Sequence, residues 1–389
     1  MSTVLVHTCY FRRIRMSASS SCTPRDFSRT PAHSVSDWTF KIMAPKPTNN
    51  EKSLLPVATN KNYVLVIHGG AGTINKESST PEQWAAYKTA LAESLQAGYK
   101  ILSEGGDAID AVVAANELET SLMLSKPPAS HSDIPASRRG LGLTLLTRAK
   151  NPSHFARALY LSPSLAPHTF LSGATAEKIG ESLGETLVDP SYFFTERRWK
   201  EHRRGLGLPE EIIPLSGTKD EDSFPLDQLP KGTVGAVALD VSGCIAALTS
   251  TGGKTNKLVG RVGDTPVMGS GFWAEEWTDN GWVRRVWNKI TGQDTAPKEA
   301  IGISCTGDGD ATAATIARRV QYLREPLAVA AKKAVDDLYA DGGLGGVIAL
   351  DHRGNVALPL NCSGMYRGVI REDGVAKVAI FSDEEIAPL

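Results

Sequence analysis

Four short patches in the second half of this 389-residue chain carry side chains able to do chemistry. They are Gly232-Thr233, Ser250-Thr251-Gly252-Gly253, residues 260–266 with Arg261 and Asp264, and Thr306-Gly307-Asp308-Gly309. Hydroxyls, a guanidinium and carboxylates recur there among glycines, which let a backbone approach a ligand closely. Thr233 opens a run of alternating small and apolar residues, 233–239, that predicts a buried strand. A threonine is an odd residue for such a strand to begin on unless its hydroxyl has a task. That hydroxyl is a poor nucleophile until a base takes its proton. One solution is an N-terminal threonine, whose own α-amino group is the base. An α-amine has an ordinary pKa of about 7.7–8, so part of it is neutral near pH 7. Thr233 is internal, so this chemistry requires a cut before it. Gly232 suits the cut, because glycine tolerates a strained backbone and leaves its carbonyl open to the Thr233 hydroxyl.

These patches need elements to hold them. Residues 63–67 form a continuous apolar run, the pattern of a buried strand, and lead into His68-Gly69-Gly70-Ala71-Gly72-Thr73. That glycine loop lacks the lysine of a phosphate loop and the three-glycine spacing of a dinucleotide site, so it reads as a tight turn at a sheet edge. Trp84, Tyr87, Leu91, Leu95 and Tyr99 make one apolar helical face from Pro81 onward, with Thr80 and Gln83 placed for a capping box. Gly105-Gly106 ends that helix, and Asp107 is positioned to cap a second, residues 108–118. Residues 141–147 read as a strand and 154–161 as a helix. Residues 189–230 carry mixed charge and read as a helix followed by a solvated linker, about 200–230, ending at Gly232. Beyond Thr233, two hairpins turn on the same device, Asp240-Val241-Ser242-Gly243 and Asp351-His352-Arg353-Gly354. Residues 272–299, with four tryptophans, read as an inserted excursion. Residues 300–305 predict a strand, 311–323 and 326–339 two helices.

The bulk numbers exclude several classes. A hydrophobic fraction of 41% and a charged fraction of 22% are ordinary for a globular chain. The net charge of -1 offers no electrostatic case for nucleic acid or an anionic membrane. No apolar run approaches the ~20 residues needed to span a bilayer. Five cysteines, Cys9, Cys22, Cys244, Cys305 and Cys362, lie far apart without a CxxC spacing, which points to reduced thiols in a cytoplasmic protein. Residues 1–60 are rich in Arg and Ser and poor in acid. They read as a disordered extension, as a mitochondrial-type targeting segment over 1–42, or as residues ahead of the true start.

Residues 233–240, Ser250 to Lys257, 260–266 and Thr306-Gly307-Asp308-Gly309, in this order, resemble the plant-type L-asparaginase/isoaspartyl peptidase family of N-terminal-nucleophile hydrolases. His68-Gly69-Gly70-Ala71-Gly72 and Gly105-Gly106-Asp107-Ala108-Ile109-Asp110-Ala111-Val112 resemble it too. Thr251-Gly252-Gly253 favours this branch over the glycosylasparaginases, which show Thr-Asn-Gly there. The resemblance implies an α+β fold, a four-layer αββα sandwich of two antiparallel sheets flanked by helices. It implies autocleavage between Gly232 and Thr233, dividing the chain into an α portion, 61–232, and a β portion, 233–389. Thr233 would be the nucleophile and Thr251 its helper. Thr306 and the Gly307 N–H would form the oxyanion hole. Arg261 would bind the substrate α-carboxylate and Asp264, with Gly309, the α-ammonium. The substrates implied are L-asparagine and β-aspartyl peptides, and the assembly a dimer of processed heterodimers.

The chain departs from the family in two places. The helix from Ala108 runs directly into Asn116-Glu117-Leu118-Glu119-Thr120-Ser121-Leu122-Met123, which resembles the family's following strand. The intervening loop, with its sodium-binding carbonyls, is absent near 115–116, so no metal or other cofactor is expected. Asp308-Gly309-Asp310 also passes straight to Ala311-Thr312, without the aromatic and basic residues of the family. The missing loop leaves one alternative beside the active enzyme, an inactive or unprocessed homologue; a glycosylasparaginase-like amidase is a separate alternative, disfavoured by the lack of a secretory signal and of a disulfide pattern.

Overall fold

The computed structural model describes residues 62–74, 76, 80–115, 120–209, 232–258, 260–278, 286, 289–290, 298–308 and 312–389. The expected extension 1–60, residues 210–230 of the expected linker, and Gly309 lie outside the described residues; the start of that linker is not a linker, since Glu196–Gly205 is helix. All described residues fall in one unit, Ala58–Leu389.

Strand β1 (Val64–Gly72) lies in the middle of a nine-stranded sheet, not at its edge. Its neighbours are β11 (Gly364–Arg371) on one side and β5 (Val234–Leu239) on the other, both antiparallel. Beyond β5 come β6 (Ile245–Ser250), β2 (Thr120–Leu124), β3 (Gly140–Thr144) and the short parallel β4 (Phe170–Ser172). Beyond β11 come β12 (Lys377–Phe381) and β13 (Ala387–Pro388). A second sheet has the order β10 (Val356–Ala357), β9 (Gly345–Asp351), β8 (Lys298–Gly307), β7 (Phe272–Thr278), all antiparallel.

Side-chain alternation along the strands builds the layers. Leu65 and Ile67 of β1, Ala236 and Ala238 of β5, and Leu248 of β6 face helices α1 (Pro81–Ser103), α2 (Ala108–Ala114) and α3 (Pro152–Tyr160). Val64, Val66, Val237, Leu239, Ile245 and Ala247 face the other way and meet Phe272, Ile348 and Leu350 of the small sheet. Ile301, Ile303 and Cys305 then face α6 (Thr312–Leu323) and α7 (Leu327–Ala340). Helices, sheet, sheet and helices thus stack in four layers, the α+β sandwich expected. Helices α4 (Gly173–Ser182) and α5 (Glu196–Gly205) lie between β4 and the start of β5 in the chain. Two period-2 strands packed face to face put every second residue in a shared core, which is why small residues are confined to crowded positions. At Gly302, for example, a Cβ would stand 2.4 Å from Ile245 and 2.6 Å from Val237.

Several expectations need correction. Helix α2 stops at Ala114, and Thr120–Leu124 is strand, so the helix read over 108–118 is too long. The alanine-rich run extends the helical pattern in sequence, but pairing with β6 claims the residues after 119. Asp107 occupies the N-cap position of α2 without capping it; its carboxylate accepts from Ser130 N instead. The Ala108 N–H donates to Asp240 Oδ2 at 2.9 Å, so the hairpin turn caps the helix. Strand β3 ends at Thr144, because Leu145 takes a left-handed φ of 57°. The described start of the tryptophan region, Phe272–Thr278, is strand and not an excursion: Trp273 and Trp277 sit on β7, paired along its length with β8. Trp282 and Trp287 lie outside the described residues. The Thr80/Gln83 capping box and both Asp-x-x-Gly hairpins form as read.

Candidate active site

The alternation that fills the inter-sheet layer with apolar groups turns polar at one end. His68 of β1, Thr249 of β6 and Ser304 and Thr306 of β8 share the inward parity with Val66, Ala247 and Ala300, and all four are buried. The β5–β6 register pairs Val234 with Ser250, so its continuation sets Thr233 opposite Thr251. The glycine-rich end of β1 ties these groups together. His68 Nδ1 lies 3.1 Å from the Thr233 carbonyl oxygen. Three residues on, the Ala71 N–H donates to Thr306 Oγ1 at 3.3 Å. Between them the β1–β11 register slips, and Gly70 takes a φ of 105°. Gly232, with φ 151°, passes so close that a Cβ there would stand 2.8 Å from Gly70 Cα. Backbone conformation therefore favours glycine at both positions, and contact requires it at Gly232.

The hydroxyls are set to donate. Thr306 accepts from Ala71 N–H and Thr251 accepts from Gly253 N–H at 3.1 Å, so each keeps its own proton for another partner. Gly307 follows Thr306 at a φ of 123°, where a Cβ would strike the Leu344 carbonyl at 2.2 Å. Lys254, three residues after Thr251, and Asp308, two after Thr306, meet at 3.2 Å on the surface. Asp264 is half-buried, and its carbonyl accepts from Val267 N and Gly271 N. Burial, and secondly the Asp264 charge, push the Cys305 thiol up, which places that carboxylate near the end of β8. Arg261 is exposed, and its guanidinium folds over Gly263. The structure thus gathers Thr233, Thr251 and Thr306 at one end of the inter-sheet layer, with Asp264 beside it. Arg261 lies on the same loop as Asp264 but is turned over that loop.

The chain matches the protein family described as Asparaginase over residues 61–123, 136–279 and 292–380. The isoaspartyl peptidase of Salmonella typhimurium is 36% identical over 326 residues, 78% of this chain and 94% of that protein. The isoaspartyl peptidase of Escherichia coli is 33% identical, covering 80% and 97%. A probable isoaspartyl peptidase/L-asparaginase 2 of Arabidopsis thaliana is 31% identical, covering 82% and 99%. The chain belongs to the plant-type asparaginase family. It is a hydrolase.

In this asparaginase-family chain three polar residues take no role from the sequence: Thr249 and Ser304, which no motif includes, and His68, which stands in a family-like motif without a task assigned to it. His68 Nε2 lies 2.8 Å from Ser304 Oγ, and Ser304 Oγ lies 2.6 Å from Thr249 Oγ1. Burial without a charged partner pushes the imidazole pKa down to about 3, so the ring is neutral. One signal for them was present in the sequence. Gly235 stands inside a strand pattern, and a glycine there marks a close approach. A Cβ on Gly235 would lie 2.1 Å from Ser304 Oγ and 2.3 Å from His68 Nε2.

Proposed function

We propose that the chain is a self-processing threonine hydrolase that cleaves the β-amide of L-asparagine and the isopeptide bond of β-aspartyl dipeptides. The observation that carries this reading is the convergence of Thr233, Thr251 and Thr306 at the polar end of the inter-sheet layer, bridged by one strand end, His68 to Ala71. In processing, Thr233 Oγ attacks the Gly232 carbonyl, the C–N bond breaks as the ester forms and frees the Thr233 amine, and water then hydrolyses the ester to release Oγ and the Gly232 carboxylate. In turnover, that amine takes the hydroxyl proton and Oγ attacks the substrate β-carbonyl. The Thr306 hydroxyl and the Gly307 N–H receive the developing oxyanion, where a prearranged donor acts most strongly. Ammonia or an amino acid leaves with the proton, and water releases aspartate from the ester. Thr251 donates to the nucleophile. Arg261 holds the α-carboxylate, while Asp264 and Gly309 hold the α-ammonium, a pairing suited to a zwitterion.

The proposal includes a dimer of processed heterodimers. It also includes function without bound sodium: only residues 115–119 join α2 to β2, too short a connection for the family's sodium loop. That same short connection favours a second reading, an unprocessed homologue. Mass spectrometry of the purified chain, followed by assay with L-asparagine and β-aspartyl dipeptide, separates the two. A fragment beginning at Thr233, with hydrolysis that Thr233→Ala abolishes, is the expected result. An intact, inactive chain after prolonged incubation supports the second reading. Among the described residues no helix is long and apolar enough to cross a membrane.

A further inference from the structure

Cutting before Thr233 removes the covalent restraint on its amino side. What then holds the residue? The β5 ladder begins one residue later, with Val234 opposite Ser250 and Gly235 opposite His68. Among the described residues, His68 Nδ1 contacts the carbonyl oxygen of Thr233 itself, at 3.1 Å.

We propose that Thr249, Ser304 and His68 form a buried, one-directional hydrogen-bonded chain that locks the Thr233 carbonyl and thereby aims the freed nucleophile. These are positioning residues, and their assignment rests on Thr233 being the nucleophile. The direction of every proton follows from chemistry. A carbonyl oxygen only accepts, so Nδ1 carries the ring proton. Nε2 of a neutral ring is then an acceptor, and Ser304 donates to it across 2.8 Å. Ser304 has spent its one proton, so Thr249 is the donor in their 2.6 Å contact. The Gly271 carbonyl, 3.1 Å from Thr249 Oγ1, is a second acceptor for the same Thr249 proton; it also accepts the Cys305 N–H at 2.9 Å, and Ser304 Oγ is the nearer partner. Burial of the ring favours this neutral form. His68, Thr249 and Ser304 are each 2% exposed or less, so water does not compete for the links. Gly235 is the residue that leaves room for the His68–Ser304 link.

The chain spans both sheets: His68 and Thr249 belong to the large one, Ser304 to the small one. Sheet stacking is thereby transmitted to the rotation of Thr233 about its own backbone. A misaimed nucleophile loses rate without losing substrate affinity. The test uses the processed enzyme with His68→Leu, His68→Asn, Ser304→Ala, Thr249→Val and the Ser304→Ala/Thr249→Val pair. We expect His68→Leu to lower kcat by about tenfold or more at unchanged KM. His68→Asn, which keeps a donor near the Nδ1 position, recovers part of that loss. The double variant is no slower than the worse single one, because a chain is broken only once. Wild-type kcat in the processed variants, a loss confined to KM, or single effects that multiply would each overturn the proposal. Nitrogen NMR of the wild-type protein gives an answer even where variants fail to fold. It expects Nδ1 of His68 protonated and Nε2 bare, and the opposite tautomer overturns the chain. Thr233→Ala serves as the control. If it still hydrolyses substrate, the nucleophile reading fails, whatever the variants of the chain do.

Discussion

His68 is a neutral imidazole in a dry layer, and that has a thermodynamic signature separate from catalysis. Its pKa is pushed down to about 3 by burial, against an ordinary value of 6.5. Below pH 6.5 the unfolded chain binds a proton that the folded chain refuses. Stability is therefore full above pH 6.5 and falls as pH drops toward 3, with a limiting slope of about 1.4 kcal/mol per pH unit from this one group. Urea titrations at pH 7.5 and pH 5 are expected to show a steeper loss in the wild type than in His68→Asn. Equal losses would mean that the ring is not held neutral. Arg261 presents the opposite case, an exposed cation with its fork turned over its own loop. On the proposed function, its work begins when substrate supplies a carboxylate. Arg261→Ala is expected to lower kcat/KM by about tenfold or more through KM, the scale of a lost charge-assisted hydrogen bond. A change in kcat alone would remove Arg261 from the binding site.

Elements, rather than single residues, explain what could be read from the chain before its fold was known. The β5–β6 hairpin was legible because alternation and an Asp-x-x-Gly turn agree locally. The long-range partner of that turn was not. Asp240 Oδ1 accepts from Ser242 N and Oγ and from Cys244 N, while Oδ2 reaches across to the N-terminus of α2. Sequence pattern assigned that cap to the adjacent Asp107, since nothing local distinguishes a capping carboxylate from one 133 positions away. The tryptophans at 273 and 277 misled for a related reason: charges beside them, Glu275 and Glu276, mask a strand whose pairing partner is distant. At the site, the threonines and glycines were legible as motifs. Thr249 and Ser304 were not, and His68 stood in a motif without a role, because inward parity matters only once two sheets are stacked. The two turns make a matched experiment. Asp240→Ala strips a buried carboxylate that serves two elements and is expected to cost about 3 kcal/mol of unfolding free energy. Asp351→Ala breaks the same turn where it serves only its own hairpin, and about 1 kcal/mol is expected. Equal midpoint shifts in urea would deny Asp240 its role as the clasp between hairpin and helix.

On the scale of the whole molecule, the strand order decides what a cut before Thr233 does. The part ahead of the cut contributes β1 to β4 to the large sheet, and the part after it contributes β5, β6 and β11 to β13. These do not form two blocks. β1 is inserted between β11 and β5, and β2 pairs with β6, so three of the ladders join one part to the other. Helices α1 and α2 precede the cut yet cover strands from both parts: Leu95 and Val112 share a core with Ala236, Ala246 and Ile370. Separating the products would break those ladders and expose that core together, at a cost of many buried side chains of about 1.5–3 kcal/mol each. Chain cleavage should therefore release a new N-terminus without releasing a subunit. The processed protein is expected to elute in native size exclusion as one species containing both fragments, and to yield two only in denaturant. Its first unfolding transition should lose both fragments' structure together, since the large sheet is complete only with strands from both parts and the small sheet, which lies wholly after the cut, packs on it. Free α or β fragments in native buffer after complete processing would show that the interleaved ladders do not hold the molecule together.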